Sequence, residues 1–388
     1  MSNFLIEPQF QVRVFDPSNI NTCVGVFDDL VSVTYRKQRN HVGMAVLTAP
    51  ENHGLFDLFA SLGGGNADIP VEIYISYPNL ATSGVVTWNV TWASDFFGLY
   101  LDRQIVTDGD GNIYYQYLVP SMEEPLSRHT VAYPQGSLSK TYWLGEELAI
   151  IANDIVIWNC TSSGTLGNGR IRDAAEIHGM DDAGAIGGTD VVNYTIGTGR
   201  NVLEVLQELA PICGFDFAVV RGAVDPTILE VTQYTGQLGT DKSASIFFAQ
   251  GLNNCNGSSF NGDRLREKTV AIVGGQGEGS GRVFTVRTGA NHGAHNDYEF
   301  FVDARTSSTA AEREALGDTK LGELMARSQL STNVAASRGY VYKRDYGLGD
   351  LVSIRFSEIV TVRIIDRVEV TFGQDQQAKI QVDFADVT

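Results

Sequence analysis

Residues 201–234 read NVLEVLQELAPICGFDFAVVRGAVDPTILEVTQY, and this stretch decides the fold. Apolar side chains recur every three or four residues from residue 202 to residue 209, which places them on one face of a helix. Gly214 is positioned to end that helix, because glycine readily adopts the left-handed conformation found after many helices. Two strand-like segments, 215–220 and 228–234, follow around a turn. The stretch therefore predicts a helix over 201–213 and then a strand–turn–strand.

A glycine-rich run, GGQGEGSG at 274–281, lies further along the chain. It comes close to the dinucleotide-binding pattern, which needs a helix after the loop so that the helix N-terminus can hold pyrophosphate. Residues 282–287 (RVFTVR) instead alternate as a strand does, and Glu278 would repel a phosphate. We therefore predict a flexible hairpin and no cofactor site.

Alternation of apolar and polar residues marks both ends of the chain, at 71–77, 86–92, 367–372 and 378–384. Period two with one apolar face predicts half-buried antiparallel strands. Turn residues such as DGDGN at 108–112 separate these strands. Both ends are therefore predicted to be β-rich barrels or sandwiches.

The middle of the chain has a different pattern, since residues 142–158 read as mixed or helical. Beyond it, the capping box TAAE at 309–312 precedes a set of leucines and predicts a helix over 309–330. The pentapeptide DLVSV at 29–33 is echoed by DLVSI at 350–354, which fits a duplicated barrel.

These patterns predict a mainly β fold with an α+β insertion, in which two β-barrel-like domains flank a mixed α/β middle. We expect a first barrel-like domain at 1–133 and a mixed middle region at 134–258 that contains helix 201–213. We expect a second barrel-like domain at 259–388, interrupted by helix 309–330.

Charge limits the partners of this 388-residue chain, which has 46 acidic and 28 basic residues and a net charge of −18. An acidic surface disfavours gripping a nucleic acid or binding an anionic membrane. The N-terminus lacks the pattern of a secretory signal. The most apolar segment, 148–158, contains Asn153 and Asp154 and is too short to cross a bilayer. We therefore expect a soluble chain that is made in a cytoplasm and does not insert into a membrane.

Two loops resemble metal sites. Residues 108–112 copy the opening of a calcium loop, but Ile113 and Val119 stand where that loop needs glycine and glutamate. His292 and His295, with Asp297 nearby, lie in a glycine-containing loop that gives no fixed ligand geometry. We interpret the first as a hairpin turn and the second as a solvated loop.

Neither paired acids nor cysteines form a recognisable catalytic group. Three acidic pairs are adjacent in sequence, so on strands they would point in opposite directions, and we expect them on the solvated surface: Asp28 and Asp29, Glu123 and Glu124, and Asp181 and Asp182. Four cysteines lie far apart and are expected to be buried free thiols: Cys23, Cys160, Cys213 and Cys255. We assign no catalytic, cofactor-binding or metal-binding residue and predict that the chain is not an enzyme.

The order of these features resembles the hub proteins at the tail tip of long-tailed bacteriophages, which are related to the hub part of tail-associated proteins. The helix at 201–209 and its strand–turn–strand are followed by SIFF at 245–248, then by the glycine-rich turn. Residues 125–133 (PLSRHTVAY) look like the end of the family's first barrel. YGLGDLVSI at 346–354 looks like the entry into its closing barrel.

The resemblance implies a structural virion protein at the tail tip, or baseplate hub. Such a protein forms a homotrimeric ring, because two barrels per subunit give a pseudo-sixfold surface that matches the tail tube. The ring would link the distal tail protein ring to a central tip or fibre protein, meet the C-terminus of the tape-measure protein, and surround the DNA ejection channel without specific DNA binding. No cofactor is implied. No hydrolase region follows the last barrel in this sequence, so lytic activity is not expected.

An alternative hypothesis is a carbohydrate-active β-rich protein at the tail tip, either a glycosidase or a binder of host glycans. Its support is the aromatic content, including Trp88, Trp92, Trp143 and Trp158. Trp88 and Trp92 share a strand face with valines, which indicates a role in the core. Oligomeric state and activity on cell-wall polymer discriminate the two hypotheses.

Overall fold

The computed structural model of the chain describes most residues in twelve segments. They are 8–63, 67–77, 91–132, 142–175, 179–187, 191–196, 199–305, 309–325, 327–334, 340–357, 359–373 and 378–387. The chain divides into two compact units, which we call the large unit (Met1–Ser258 and Ser331–Thr388) and the small unit (Ser259–Leu330).

Strands dominate the described residues. They are β1 Gln9–Asp16, β2 Asn19–Phe27, β3 Ser32–Gln38, β4 Met44–Pro50, β5 Ile69–Tyr77, β6 Thr91–Tyr100, β7 Asp102–Thr107, β8 Ile113–Pro120, β9 Tyr142–Glu147, β10 Met180–Asp182, β11 Val191–Thr195, β12 Phe215–Arg221, β13 Leu229–Thr235, β14 Phe247–Ala249, β15 Cys255–Asp263, β16 Val270–Gly274, β17 Phe284–Thr288, β18 Glu299–Asp303, β19 Arg327–Val334, β20 Leu351–Phe356, β21 Ile359–Phe372 and β22 Ala378–Ala385. The α-helices are α1 Gly54–Ser61, α2 Glu124–Ser127, α3 Leu148–Cys160, α4 Val202–Cys213 and α5 Ala310–Glu323. The prediction of a mainly β chain with an α+β insertion is confirmed.

Two sheets form most of the large unit. One has the strand order β2-β1-β5-β6, and the other runs β15-β19-β22-β21-β3-β4-β8-β7, with β20 paired to β21 and β14 to β20. The predicted strands at 71–77, 367–372 and 378–384 are confirmed, whereas the one at 86–92 falls mostly outside the described residues. Alternate residues point inward, as Val12 and Val14 of β1 and Ile73 of β5 show by their complete burial.

The pairing of β3 with β21 joins the two ends of the chain. The register runs from Val33 opposite Phe372 to Gln38 opposite Arg367. Tyr35 and the facing Val370 are both fully buried. Strands from the predicted first and last regions thus share one sheet, while the predicted boundaries at 133/134 and 258/259 remain a proposal.

The middle of the chain contributes a helical layer to the large unit. Helix α4 confirms the predicted helix: the Asn201 side chain accepts a hydrogen bond from the backbone N–H of Glu204, and Gly214 ends the helix with a φ of 65°. Leu206 and Leu209 lie in one core with side chains of α3, β12 and β13. The predicted strand–turn–strand is the antiparallel pair β12–β13. No helix in the described segments is both long and apolar enough to span a bilayer.

The small unit has the sheet β17-β16-β18, with α5 against one face. The glycine-rich run is confirmed as the turn of the β16–β17 hairpin. The capping box is confirmed too, since the Thr309 side chain accepts from the Glu312 N–H and the Glu312 side chain accepts from the Thr309 N–H. The predicted extension of this helix to residue 330 is wrong. Helix α5 ends at Glu323 and β19 begins at Arg327, because burial from Leu330 onward alternates with the period of a strand.

Gly98 on β6 allows a close approach between β6 and the end of β8. A Cβ atom at this position would lie 2.2 Å from the carbonyl oxygen of Pro120. We expect Gly98→Ala to lower the free energy of unfolding by about 3 kcal/mol, because backbone must move to relieve the overlap. Gly109→Ala is the matched control, since a Cβ there would meet nothing within 4 Å. Urea denaturation of both variants measures the difference, and equal midpoints would contradict this packing.

Candidate functional site

A cavity of about 650 Å³ lies within the large unit, lined by residues from distant parts of the chain. The end of β3, strand β6, strand β12 and the loop before β20 all contribute side chains to it. Its charged and polar lining includes Lys37, Gln38, Arg39, Asn40, His41, Glu72, Ser94, Asp95, Ser121, Glu123, Arg221, Lys242, Lys343 and Asp350.

Asp95 is the most completely enclosed charge in this cavity, with no exposed side-chain surface. Its carboxylate accepts hydrogen bonds from the hydroxyls of Tyr35 at 2.6 Å and Tyr342 at 3.1 Å. Lys37 forms an ion pair with it, and the ammonium of Lys343 lies 3.3 Å away. Burial opposes ionisation of Asp95, but the two lysines outweigh that effect and lower the pKa of its carboxyl.

The pKa of Lys37 is lowered too, but here burial is the dominant cause. Burial lowers the pKa of Lys37 to about 8, although the negative charge of Asp95 favours the protonated form. Its ammonium also donates to the backbone carbonyl of Asp95 at 2.9 Å. At neutral pH the lysine therefore keeps its proton and the pair stays charged.

Glu123 connects the end of β8 to β12. One carboxylate oxygen accepts from the backbone N–H of Val219 at 3.2 Å, and the other accepts from the Ser121 hydroxyl. The Ser121 oxygen in turn accepts from the N–H of Gly43 at 2.7 Å. Burial raises the pKa of Glu123 against the effect of these hydrogen bonds.

Asn40 and Asp216 hold the loop after β3 against β12. Asn40 adopts a left-handed φ of 57°, donates to Asp216 at 2.9 Å and accepts from the N–H of Phe217 at 2.8 Å. Asp216 also accepts from the N–H of Leu238 at 2.7 Å. Arg39 approaches the same carboxylate at 3.5 Å. A single short loop is thereby fixed to the middle of the chain by several polar contacts.

Asp350 fixes the loop before β20 to the middle of the chain in a similar way. Its carboxylate accepts from the N–H groups of Thr240 at 2.8 Å and Gly347 at 2.7 Å, and pairs with Lys242 at 2.9 Å. Asp95, Glu123, Asp216 and Asp350 are each held by two or more donors. These four carboxylates therefore tie together segments that are distant in the sequence, and we call them the charged junction.

The two suspected metal loops have simple structures. Asp108 accepts hydrogen bonds from the N–H groups of Asp110 and Asn112, both at 2.9 Å, in the turn between β7 and β8, so the predicted hairpin turn is confirmed. His292 lies 3.5 Å from Asp297, and both side chains are exposed. In the described part of the chain, no group of three or more His, Cys, Asp or Glu residues is arranged to hold a metal ion.

Two expectations about surface and burial are wrong. Glu123 was expected on the solvated surface but lines the cavity, and Glu124 pairs with Arg128 at 2.6 Å, because α2 turns both acids towards partners. Cys23 was expected to be buried but is exposed, because it lies on the edge strand β2. Cys160 and Cys255 are buried as predicted.

Sequence reasoning missed Asp95, Asp216 and Asp350. The available signal was local: Asp216 stands between Phe215 and Phe217 in a predicted strand, where one polar residue among apolar ones indicates a buried partner. That signal does not identify which residue the buried carboxylate contacts.

Comparison with known proteins decides the family. The model of the family described as Siphovirus ReqiPepy6 Gp37-like protein matches residues 11–385. The chain belongs to this family. No curated protein gives a significant match. The matched range reaches from β1 to β22 and includes every residue that lines the cavity.

Solved structures with the same fold include phage tail proteins. The 43 kDa tail protein of prophage MuSo2 from Shewanella oneidensis has 10% identity, 98% coverage of each chain and a TM-score of 0.59. A tail protein from Neisseria meningitidis MC58 has 11% identity, 98% and 97% coverage and a TM-score of 0.56. A Francisella PdpA–VgrG complex has 10% identity and a TM-score of 0.53, with coverage of 100% of this chain and 59% of that one. At such identities the likeness concerns the fold. The family is thus a siphovirus family and the fold is that of phage tail proteins, in agreement with the resemblance found in the sequence.

The charged junction gives a direct mutational test. We expect Asp95→Asn to lower the free energy of unfolding by about 3–5 kcal/mol, because the ammonium of Lys37, on a side chain only 17% exposed, would lose the carboxylate with which it pairs. Asp29→Asn is the matched control: this acid is exposed and pairs with His53 at 2.9 Å, so its loss should cost about 0–1 kcal/mol. Denaturant midpoints at pH 7 measure both. An Asp95 variant as stable as the Asp29 variant would show that the junction contributes little.

Proposed function

We propose that this protein is the tail-tip, or baseplate, hub of a siphovirus. Three copies form a ring that joins the distal tail protein ring to a central tip or fibre protein and surrounds the DNA ejection channel. The C-terminus of the tape-measure protein meets this ring. The observation that carries the proposal is the family match over residues 11–385, together with a fold shared over almost the whole chain with two phage tail proteins.

The construction of the large unit supports a mechanical role. Strands from the two ends of the chain pair as β3 and β21, and Asp95 ties β6 to β3 and to Tyr342. The middle of the chain is fixed to the loop after β3 through Asp216 and to the loop before β20 through Asp350. A ring protein must pass force between neighbours without coming apart, and contacts between distant chain segments resist such separation.

Open strand edges supply surfaces for neighbours in the ring. In the described residues β2 ends one sheet and β7 ends another, and each has exposed apolar side chains, Val26 on β2 and Ile105 on β7. Unpaired backbone groups at such edges can join a strand from another chain.

The first test is the size of the assembly. We expect a homotrimer of about 127 kDa, three copies of the 42.2 kDa chain, because identical copies that meet through two different surfaces usually close into a ring. Light scattering of concentrated protein and of purified tail tips measures this mass. A closed dimer or an open filament would contradict the proposal.

The proposed hub is structural and has no catalytic activity. Two of the tryptophans that favoured a carbohydrate-active protein, Trp92 and Trp158, are half-buried, and the carboxylates of Asp95 and Glu123 are already hydrogen-bonded. We expect purified protein to leave cell-wall polymer uncleaved, as measured by release of reducing ends. Release above that of a heat-inactivated sample would overturn this part of the proposal.

The charge of the chain suits a channel through which DNA must slide. Each copy has a net charge of −18, so three copies have a combined net charge of −54. An acidic channel wall repels the DNA duplex over about 8 Å at physiological salt. We expect no measurable binding of duplex DNA in an electrophoretic shift assay even at low salt. Micromolar binding that weakens with salt would mean that Lys and Arg line the channel.

A further inference from the structure

The sheet of the small unit carries apolar side chains on the face that α5 does not cover. The pairing register puts Val286, Ile272 and Phe301 in one row across β17, β16 and β18. Phe284 lies on the same face, opposite Gly274. Val286 is 58% exposed and Phe301 51% exposed. We call Ile272, Phe284, Val286 and Phe301 the open sheet face.

The small unit builds its core without these residues. Ala271 and Val273 alternate with Ile272, point to the other face, and are fully buried with Leu321 of α5. Exposed apolar groups that are contiguous and not needed for a core mark interaction surfaces. The open sheet face is therefore available to a partner.

Phe301 is held in place before any partner binds. Its ring covers Gly274, where a Cβ atom would lie 2.6 Å from the ring. The guanidinium of Arg282 stands 5.1 Å from the ring centroid, pairs with Asp303 at 2.5 Å and donates to the Gly274 carbonyl at 2.9 Å. An aromatic ring ordered in advance loses little entropy on binding.

The border of the open sheet face is acidic. Glu299 precedes Phe301 by two residues on β18, so it points to the same face, and Glu278 is exposed in the hairpin turn. The positive charge of Arg282 is neutralised by Asp303. The chemistry of the partner is thus a flat apolar surface with a positive charge beside it.

The large unit has a surface of that kind on the hairpin β20–β21. Arg355 is opposite Val360, and Val362 lies two residues further on the same face. Val360 is 64% exposed, and Val362 and Arg355 are exposed as well. Ile354, which alternates with these residues, is buried. We call Arg355, Val360 and Val362 the hairpin patch.

We infer that the open sheet face of one copy docks on the hairpin patch of the next copy. Both surfaces are exposed β-sheet faces, which pack face to face at about 10 Å, and Glu299 would then be able to meet Arg355. The contact joins two different surfaces and repeats from copy to copy, as a closed ring requires. This inference rests on the proposed ring and names the surfaces that build it.

Substitution on each surface tests the contact. We expect Phe301→Asp and Val360→Asp each to lower the association constant at least tenfold in sedimentation equilibrium. The double variant should lose little more than either single variant, because both changes break the same contact. Leu265→Asp in the small unit and Val224→Asp in the large unit are controls, since these side chains are 97% and 94% exposed and lie outside both surfaces. If the Phe301 and Val360 variants had the same association constant as the controls, the proposed contact would be wrong. A wild-type trimer in that experiment would still support the hub proposal.

Cysteine cross-linking separates contacts between copies from contacts within one chain. In a Cys23→Ser background, which removes an exposed thiol, Val286→Cys chains are mixed with Val360→Cys chains under mild oxidation. We expect a disulfide-linked mixed dimer from the mixture and much less from either variant alone. A chain carrying both cysteines that cross-links only within itself would overturn the inference, as would the absence of mixed dimer at every concentration. If tail tips contain three copies but no mixed dimer forms, the hub proposal would stand and only the proposed contact between these two surfaces would be wrong.

Discussion

The pairing of Asp95 with Lys37 and Lys343 is the interaction on which the large unit depends. It brings β6 together with the end of β3 and the segment before β20, and two tyrosine hydroxyls complete the shell of the carboxylate. Removing a charge from water is costly unless its partners are well placed. The arrangement therefore tolerates few alternative placements of these segments, and it fixes the geometry from which the outer strands extend.

The same junction also fixes the other segments of the large unit. Asp216 and Asp350 fasten the middle layer and the last strands by backbone hydrogen bonds as well as by charge. Hydrophobic burial alone would allow sheets to slide, whereas such directional contacts specify one register. The large unit can then hold its open strand edges in a defined orientation.

Local patterns in the sequence predicted much of the fold. The helix at 201–213, its glycine end and the glycine-rich hairpin follow from spacing and turn chemistry that involve only nearby residues. The end of α5 was missed because leucines continue past Glu323, where strand pairing takes over from helix propensity. The contacts of the charged junction could not be predicted for a different reason. Tyr342 lies 247 residues beyond Asp95, and the local sequence around either residue does not indicate that the two are in contact.

Three-dimensional imaging of purified tail tips, at a resolution that traces strands, tests the central claim most directly. We expect three copies of this chain in one closed ring around the channel, with β3 paired to β21 within each copy. A tip that lacks this chain, or one that holds it as isolated copies away from the channel, would contradict the assignment as the hub.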